Sequence, residues 1–247
     1  MASGIWAAAS GAVAQVARMD TAANNLANLD TPGFKMDRMV FRAALEGSLR
    51  GHRPDASMEA AVARTISHDM QAGRVTPTGR NLDVALPENN AFFAVDTPQG
   101  VRYTRAGNLH IMPDGALAGP DGVPYIGPNL RPIYLPQDAN RVEILPTGEL
   151  QIDGDTDGQR LMIVQFPNYK ALQKEGNVLM RAPPSAGVPG LVEAPYVETQ
   201  ALEKSSDKAF KHMASVTGAA RNFTMLTQVI EAFSNIEKKA ASEIHGR

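Results

Sequence analysis

The two ends of this chain repeat apolar residues at alternating steps of four and three, and the middle of the chain does not. Spacing of this kind places every member on one stripe of an α-helix, and it is typical of helices that pack against other helices. The pattern therefore predicts an N-terminal helix that ends where Pro32 and Gly33 favour a turn. The N-terminal stripe consists of Ile5, Ala9, Ala12, Val16, Met19, Ala23 and Leu26.

The C-terminal segment, residues 202–247, carries a longer version of the same repeat. Two helices with such stripes, at opposite ends of one chain, are expected to pair as an antiparallel coiled coil. The alternative is ordinary packing of both helices onto the rest of the protein. The C-terminal stripe consists of Ala209, Met213, Val216, Ala220 and Phe223 and, after a change of phase, Leu226, Ile230, Phe233, Ile236, Ala240 and Ile244.

The middle of the chain, residues 76–195, holds most of the proline and glycine. Short apolar runs such as 91–95 and 161–166 are typical of strands, and turn signals separate them about every 8–12 residues, as in a β-sandwich or barrel. The predicted fold class is therefore α+β. The predicted domains are a coiled-coil-like helical domain of residues 1–35 and 200–247, a connector of residues 36–75 that starts helical or irregular and becomes extended with some helix, and an inserted all-β domain of residues 76–199.

Composition excludes several classes of function. Lys and Arg number 24 and Asp and Glu number 26, so a net charge of -2 argues against a nucleic-acid partner or a polybasic membrane anchor. The chain has no cysteine, which excludes disulfides, thiol nucleophiles and Cys-ligated metals. No apolar run reaches the ~18–20 residues that a spanning helix needs, so we expect no direct membrane insertion.

Few motifs indicate chemistry. Residues 153–158 begin like a calcium-binding EF-hand loop, but Val164 stands where the loop needs a carboxylate, and the flanks are typical of strands. We therefore interpret this segment as an acidic hairpin turn. Ser205 and Lys208 have the spacing of an acylating pair, but its companion motifs are missing, and the histidines lack ligand spacing. We predict no catalytic residue, metal or cofactor; the rival hypothesis is a hydrolase, or a secreted binding or calcium-binding protein.

Three asparagines, Asn24, Asn25 and Asn28, lie close together near the end of the predicted N-terminal helix. Asparagine is unfavourable inside a helix because its side chain competes for backbone hydrogen bonds. These side chains either bond across helices and fix their register, or they mark a frayed helix end. Helix physics leaves both interpretations open.

The same segment, Asn24–Asn28 followed by Thr31, Gly33, Phe34 and Lys35, resembles the signature of the rod and hook proteins of the bacterial flagellum. The resemblance covers nearly the whole chain, because further motifs of that family occur in the same order. They lie at residues 78–85, 91–95, 103–109, 166–168, 172–177, 202–205 and 221–223. Hook proteins are much longer and the proximal rod proteins lack the β domain, so chain length implies a rod protein of intermediate size.

The resemblance implies a structural subunit of the flagellar rod, whose terminal helices form an inner tube and whose β domain forms an outer layer. It implies other rod proteins, copies of the same chain and the flagellar type III export apparatus as partners. It also implies a periplasmic location in the basal body and export without a cleaved signal peptide. Residues 5–17 contain Ala-x-Ala patterns, but no Lys or Arg precedes them, as a cleaved signal would require.

The site residues predicted from these arguments form two groups. The first is expected to pack between subunits: Ile5, Val16, Met19, Leu26, Met213, Phe223, Leu226, Ile230 and Phe233. The second is expected to fix register or carries the family motif: Asn24, Asn25, Asn28, Thr31, Gly33 and Phe34.

Overall fold

The computed structural model describes residues 2–42, 63–136, 138–139, 141–205 and 209–245. Helix α1 spans Ala2–Ala27 and helix α2 spans Ala209–His245, and the region between them is rich in strands. This arrangement confirms the predicted α+β class. Helix α1 ends before the turn formed by residues 28–33, as the proline and glycine there predict. Within the described ranges, neither helix is long and apolar enough to cross a membrane.

The strands are short and follow one another closely along the chain. They are β1 (Asp37–Arg42), β2 (Ala63–His68), β3 (Val75–Pro77), β4 (Val84–Ala85), β5 (Ala91–Thr97), β6 (Gly100–Thr104), β7 (His110–Ile111), β8 (Leu117–Ala118), β9 (Val142–Ile144), β10 (Glu149–Ile152), β11 (Asp155–Arg160), β12 (Ile163–Gln165), β13 (Gln173–Glu175), β14 (Leu179–Arg181), β15 (Gly190–Leu191), β16 (Glu198–Thr199) and β17 (Ala201–Glu203). Single turns of 3₁₀-helix occur at Tyr169–Ala171 and Pro184–Ala186.

The chain divides into two compact units, which we call the helical unit and the β unit. The helical unit comprises Met1–Ala27, Asp37–Ser67 and Lys208–Arg247, and the β unit comprises Asn28–Met36 and His68–Asp207. The segments 28–35 and 200–207, which sequence analysis assigned to the helical domain, thus lie in the β unit. The reason is hydrogen bonding: Gly33 N donates to Glu203 O at 3.1 Å, and β17 pairs with β3.

In the helical unit, α1 and α2 pack side by side and run antiparallel. A Cβ added to Gly4 would lie 3.2 Å from the ring of Phe233, and one added to Gly11 would lie 3.3 Å from Leu226. Gly11 lies seven residues after Gly4 in α1, and its contact Leu226 lies seven residues before Phe233 in α2. The two helices therefore run antiparallel. Glycine at these two positions lets the helix backbones approach closely.

Strands β1 and β2 form a two-stranded sheet in the chain segment that was predicted to be a connector. The prediction that this segment starts helical or irregular is wrong for residues 37–42. Val40 and Phe41 favour a strand, and pairing with β2 supplies the hydrogen bonds that an isolated extended segment would lack. The predicted loop near residues 47–55 lies outside the described residues.

The β unit is built around a six-stranded sheet with the order β13-β14-β6-β5-β12-β15, in which neighbours are antiparallel. Strand β5 is buried on both faces, which explains its continuous apolar sequence. Phe93 packs in one cluster with Leu109, Leu117 and Tyr125, and its ring meets that of Tyr125 edge to face at 5.8 Å. Phe92 packs on the opposite face in a second cluster.

Smaller sheets surround this core. Strands β9, β10 and β11 form a three-stranded sheet, and β7 pairs with β8. Strands β3 and β4 lie early in the β unit, and they pair with β17 and β16, which lie at its end. The segments through which the chain enters and leaves this unit are therefore joined by antiparallel pairing.

Candidate assembly site

The turn after α1 is fixed by a glycine that no other residue can replace without strain. Gly33 has a φ of 71°, and a Cβ added to it would lie 2.7 Å from the Cα of Ala106. This close approach buries the next two side chains, Phe34 and Lys35, at 3% and 2% exposure. The ammonium of Lys174 lies 3.8 Å above the ring of Phe34 and also donates to Lys35 O.

Lys35 belongs to a buried group of three charged side chains. Its Nζ donates to Oε1 of Glu203 at 2.7 Å, and Nε of Arg105 donates to Oε2 of the same carboxylate at 2.5 Å. All three side chains are at most 3% exposed. One carboxylate therefore joins two cations that come from distant parts of the sequence. Removing one partner from such a group typically costs about 3–5 kcal/mol, because it leaves a charge buried without compensation.

The backbone satisfies the remaining donors of the Arg105 guanidinium. Nη1 donates to the carbonyl oxygens of Glu88 and Ala91 at 2.6 and 2.7 Å, and Nη2 donates to Leu86 O at 2.5 Å. These carbonyls lie just before or at the start of β5. Arg105 therefore connects the charged group directly to the central sheet.

Burial and neighbouring charges shift the pKa values of this group. Burial opposes the charge of Glu203, but Arg105 and Lys35, with the amide of Gly73, more than offset it and hold the pKa of Glu203 below its ordinary value. Burial lowers the pKa of Lys35, because the Glu203 carboxylate offsets the loss of water only in part and Arg105 repels the ammonium. The carboxylate thus stays charged under neutral conditions, as the two cations require.

A third segment, residues 69–74, closes around the same group. Gly73 N donates to Oε1 of Glu203 at 2.7 Å, and Nζ of Lys35 donates to Gln71 O at 2.8 Å. Backbone hydrogen bonds join Asp69 N to Met36 O at 2.8 Å and Lys204 N to Arg74 O at 2.9 Å. We call this arrangement the clasp: residues 33–36, 69–74, 105 and 203–204.

Sequence analysis did not predict the clasp, although each charged member lies in a motif of the family resemblance. Lys35 follows Phe34, Arg105 lies within residues 103–109, and Glu203 lies within residues 202–205. Lys35 and Glu203 are 168 positions apart, and Arg105 and Glu203 are 98 apart. Neither helical nor strand periodicity relates positions at such distances. The available signal was that charged residues of opposite sign occur in three separate motifs of the family resemblance.

The three asparagines lie where α1 ends, and Asn25 has a precise local partner. Its Nδ2 donates to Asp37 O at 2.8 Å and its Oδ1 accepts from Asp37 N at 3.0 Å, so its amide pairs with the first residue of β1. Asn24 donates to the carboxylate of the same aspartate at 3.3 Å. Asn28 accepts a hydrogen bond from the Thr31 hydroxyl at 3.3 Å within the turn. A role of these residues in register between subunits stays a prediction.

The side chains predicted to pack between subunits lie on both contacting and open parts of the helical unit. Leu226 and Phe233 contact α1, as described above, and Ile230 of α2 and three α1 residues (Ile5, Met19 and Leu26) are half-buried. Val16, Met213 and Phe223 are exposed in the single chain. Within the chain, α2 contacts α1 at Gly4 and Gly11, each of which directly precedes a residue of the predicted stripe.

Further large apolar side chains are exposed on the two helices and were not predicted as site residues. Trp6 is 72% exposed and Met225 is 55% exposed, and Val13, Val229 and Ile236 are also exposed. In contrast, the side chains that the helices bury are mainly alanines, such as Ala8 and Ala12. Large apolar side chains left exposed on long helices are typical of a surface that binds another protein. The helical unit therefore offers a surface for assembly.

The acidic segment 153–158 lies in the hairpin of β10 and β11: residues 153–154 form the turn, and residues 155–158 belong to β11. Asp153 has a φ of 51°, and its Oδ1 accepts a hydrogen bond from Arg141 N at 2.8 Å. Among the residues that the structure describes, no three His, Asp or Glu side chains are grouped so that they could hold a metal ion.

Buried charges that join segments of one fold, together with apolar side chains left open on long helices, define a structural subunit that assembles with other chains. Two family models match the sequence. The model of the flagella basal body rod protein matches residues 5–35, and that of the flagellar hook protein FlgE/F/G D1 domain matches residues 88–152.

Curated relatives agree with these matches. The chain is 31% identical to FlgG of Agrobacterium fabrum, with 90% of this chain and 92% of the relative covered. It is 28% identical to FlgG of Bacillus subtilis, with 89% and 90% covered, and 25% identical to FlgF of Rhizobium meliloti, with 100% and 99% covered. The chain belongs to the family of flagellar basal-body rod proteins. It is a structural subunit of the flagellar basal body, and this family assembles with other flagellar proteins.

Proposed function

We propose that this chain builds the rod by packing its helical unit against the helical units of neighbouring subunits, as an inner tube. The observation that carries the proposal is the exposure of large apolar side chains on α1 and α2. Trp6 and Met225 are more than half exposed, and burying such side chains typically gains about 1.5–3 kcal/mol each. In this arrangement the paired helices act as a coiled coil, and the β unit inserted between them forms the outer layer and transmits torque.

The partners in this proposal are copies of the chain and other rod proteins. We further propose export by the flagellar type III apparatus without cleavage, and a periplasmic position in the rod. The contact between the helices supports retention of the N-terminal residues. Helix α1 contacts α2 through Gly4 and Gly11, so cleavage after residue 14 or 17 would remove that contact. N-terminal sequencing of the protein from purified basal bodies should give Met1 or Ala2. A start after Ala14 or Ala17 would contradict the proposed export route.

Of the two relatives, we propose the FlgF type, with the distal rod protein FlgG as the alternative. The compact hairpin at residues 97–103, with a two-residue turn between Thr97 and Gly100, supports this choice. Identity is higher to the two FlgG relatives given above, at 28% and 31%, than to FlgF of Rhizobium meliloti, at 25%, so the choice rests on the hairpin. Deleting the gene and complementing separately with each type from a related bacterium would decide, because only the matching type should restore a complete rod.

Rod assembly in a strain that carries single substitutions tests the packing proposal. Leu26→Asp and Met225→Asp place a charge on the helical unit, one at the half-buried predicted stripe and one at an exposed position. Both should abolish incorporation into the rod, because the cost of an unpaired charge recurs at each subunit contact. The unfolding of the β unit within the purified full chain should stay unchanged. The matched control is Asp155→Ala at an exposed position of β11. Normal assembly of both helix variants would contradict the proposal.

A further inference from the structure

The clasp joins segments near the ends of the two pieces of chain that form the β unit. The chain passes between the helical unit and the β unit after residues 27, 36, 67 and 207. The segments of the β unit next to these points are 28–36, 68–74 and 203–207. The clasp hydrogen bonds link all three segments, since Lys35 reaches Gln71 O and Glu203, and Gly73 N reaches the same carboxylate.

The clasp segments bond to one another, and they also contact the core through Met70, Arg105 and Lys174 of β13. Strands β3 and β17 pair with each other, and Arg105 is the side chain that connects Glu203 to the carbonyls around the start of β5. Glu203 neutralises both cations, so its departure would leave Lys35 and Arg105 buried without a counter-ion. Loss of this one carboxylate therefore weakens every contact of the group.

We propose that the clasp is one cooperative joint, which opens as a unit while the core around β5 and β6 stays folded. The opening behaviour depends only on the fold, so its test is independent of whether the chain forms a rod.

Native-state hydrogen exchange on the full chain measures this opening. Four backbone amides report on the clasp because they donate across it: Gly33, Asp69, Gly73 and Lys204. The amides of β5 and β6 report on the core. In the native protein, the four clasp amides should exchange at one common rate that is faster than the rate of the core amides.

Glu203→Gln keeps the shape of the side chain and removes its charge. It should raise the exchange rate of all four clasp amides by a shared factor of about ten or more and change the core amides by less than about twofold. Glu175→Gln is the matched control, because it removes an exposed ion pair with Arg102, also at 2.7 Å, outside the clasp. This control should leave the clasp amides unchanged.

Two results would overturn the proposal. In the first, the clasp and core amides accelerate equally in Glu203→Gln, which means that the whole β unit opens. In the second, only Gly33 and Gly73, which bond to Glu203 itself, accelerate, which means that the contacts are independent. If Glu203→Gln does not fold, Lys35→Met gives the same readout, because it removes one cation and leaves the pair between Arg105 and Glu203 intact. Its clasp amides should again accelerate together.

Discussion

The β unit and the helical unit bury very different side chains. The β unit encloses large ones, among them Phe92, Phe93 and Tyr125, at 1% exposure or less. The helical unit buries mainly small ones, such as Ala8 and Ala12 in α1, and leaves its large apolar side chains open. Because hydrophobic stabilisation scales with the apolar area removed from water, the β unit contains its own source of stability. In the proposed rod, the helical unit obtains most of that stabilisation from neighbouring chains.

The largest expected loss of stability comes from a substitution in the core of the β unit. Phe93→Ala should lower the free energy of unfolding of the purified monomer by about 3–5 kcal/mol, because it removes a ring from a fully packed cluster. Trp6→Ala removes an even larger side chain, but from an exposed helix position, and should change the same quantity by less than about 0.5 kcal/mol. Urea unfolding followed by circular dichroism measures both. Equal losses in the two variants would contradict the contrast drawn between the units.

The next effect separates steric contact from backbone strain in the β unit. Gly33→Ala should cost about 2–4 kcal/mol, because its Cβ would overlap the backbone of Ala106 in addition to adopting an unfavourable φ. Gly79 has a similar φ of 75° and nothing within 4 Å of an added Cβ, so Gly79→Ala should cost only about 1 kcal/mol. The difference between their urea midpoints measures the close approach alone. A cost for Gly79→Ala as large as that for Gly33→Ala would mean that strain alone dominates.

Acid should weaken the β unit through the clasp. The folded pKa of Glu203 is lowered, so its charge contributes stability above the ordinary glutamate pKa, and this contribution is lost as the pH falls through the folded pKa. Thermal unfolding of the β unit should therefore shift to lower temperature when the pH is lowered below the ordinary range of glutamate. In Glu203→Gln the unfolding temperature should be lower at neutral pH and depend less on acid. An equally steep acid dependence in this variant would assign the effect to other carboxylates.

The smallest effect concerns glycines in the helical unit. Gly218 in α2 has nothing within 4 Å of an added Cβ, so Gly218→Ala should stabilise the helix by about 0.5–1 kcal/mol. Gly11→Ala has the same propensity gain, but its Cβ would lie 3.3 Å from Leu226 and force that side chain to shift. The gain should then be smaller or absent. Helix melting followed at 222 nm compares the two variants, and an equal gain would show that α1 and α2 do not need the close approach at Gly11.

The elements that the sequence predicted well are those with a strong local pattern. The helices follow from the repeat of apolar residues, and the turn after α1 follows from Pro32 and Gly33. The hairpin of β5 and β6 follows from the apolar run at residues 91–95, the alternation at residues 101–105 and the turn between Thr97 and Gly100. In each case the pattern and the structural consequence lie within about ten residues, where local sterics decide the backbone conformation.

The packing face of α1 could not be derived in the same way. The helix is rich in alanine and glycine, so two adjacent stripes can each serve as a contact face. The sequence pattern favoured the stripe through Ile5 and Leu26 because its members are larger. Within the chain, α2 contacts Gly4 and Gly11 instead, since small residues let two helix backbones approach. The choice between the stripes depends on which partner helix is present, and one sequence does not contain that information.

The clasp could not be predicted from the sequence for a different reason. A buried charge is favourable only where its partners are assembled, and those partners come from three segments separated by up to 168 positions. The motif around residues 24–35 drew attention to Asn24, Asn25, Asn28, Thr31, Gly33 and Phe34, but the buried charge of this segment is Lys35. A single charged residue between buried neighbours was the physical signal, because it requires a counter-charge somewhere in the fold.

The protein contains one tryptophan, and it lies at position 6, largely open on α1. Tryptophan emission therefore reports on α1 alone, and the β core contributes only tyrosine signal. Emission from the isolated chain should resemble that of a hydrated indole and be quenched readily by iodide. On incorporation into an assembly that covers Trp6, the emission should shift to the blue and lose its sensitivity to the quencher, so subunit addition can be followed in solution without a label.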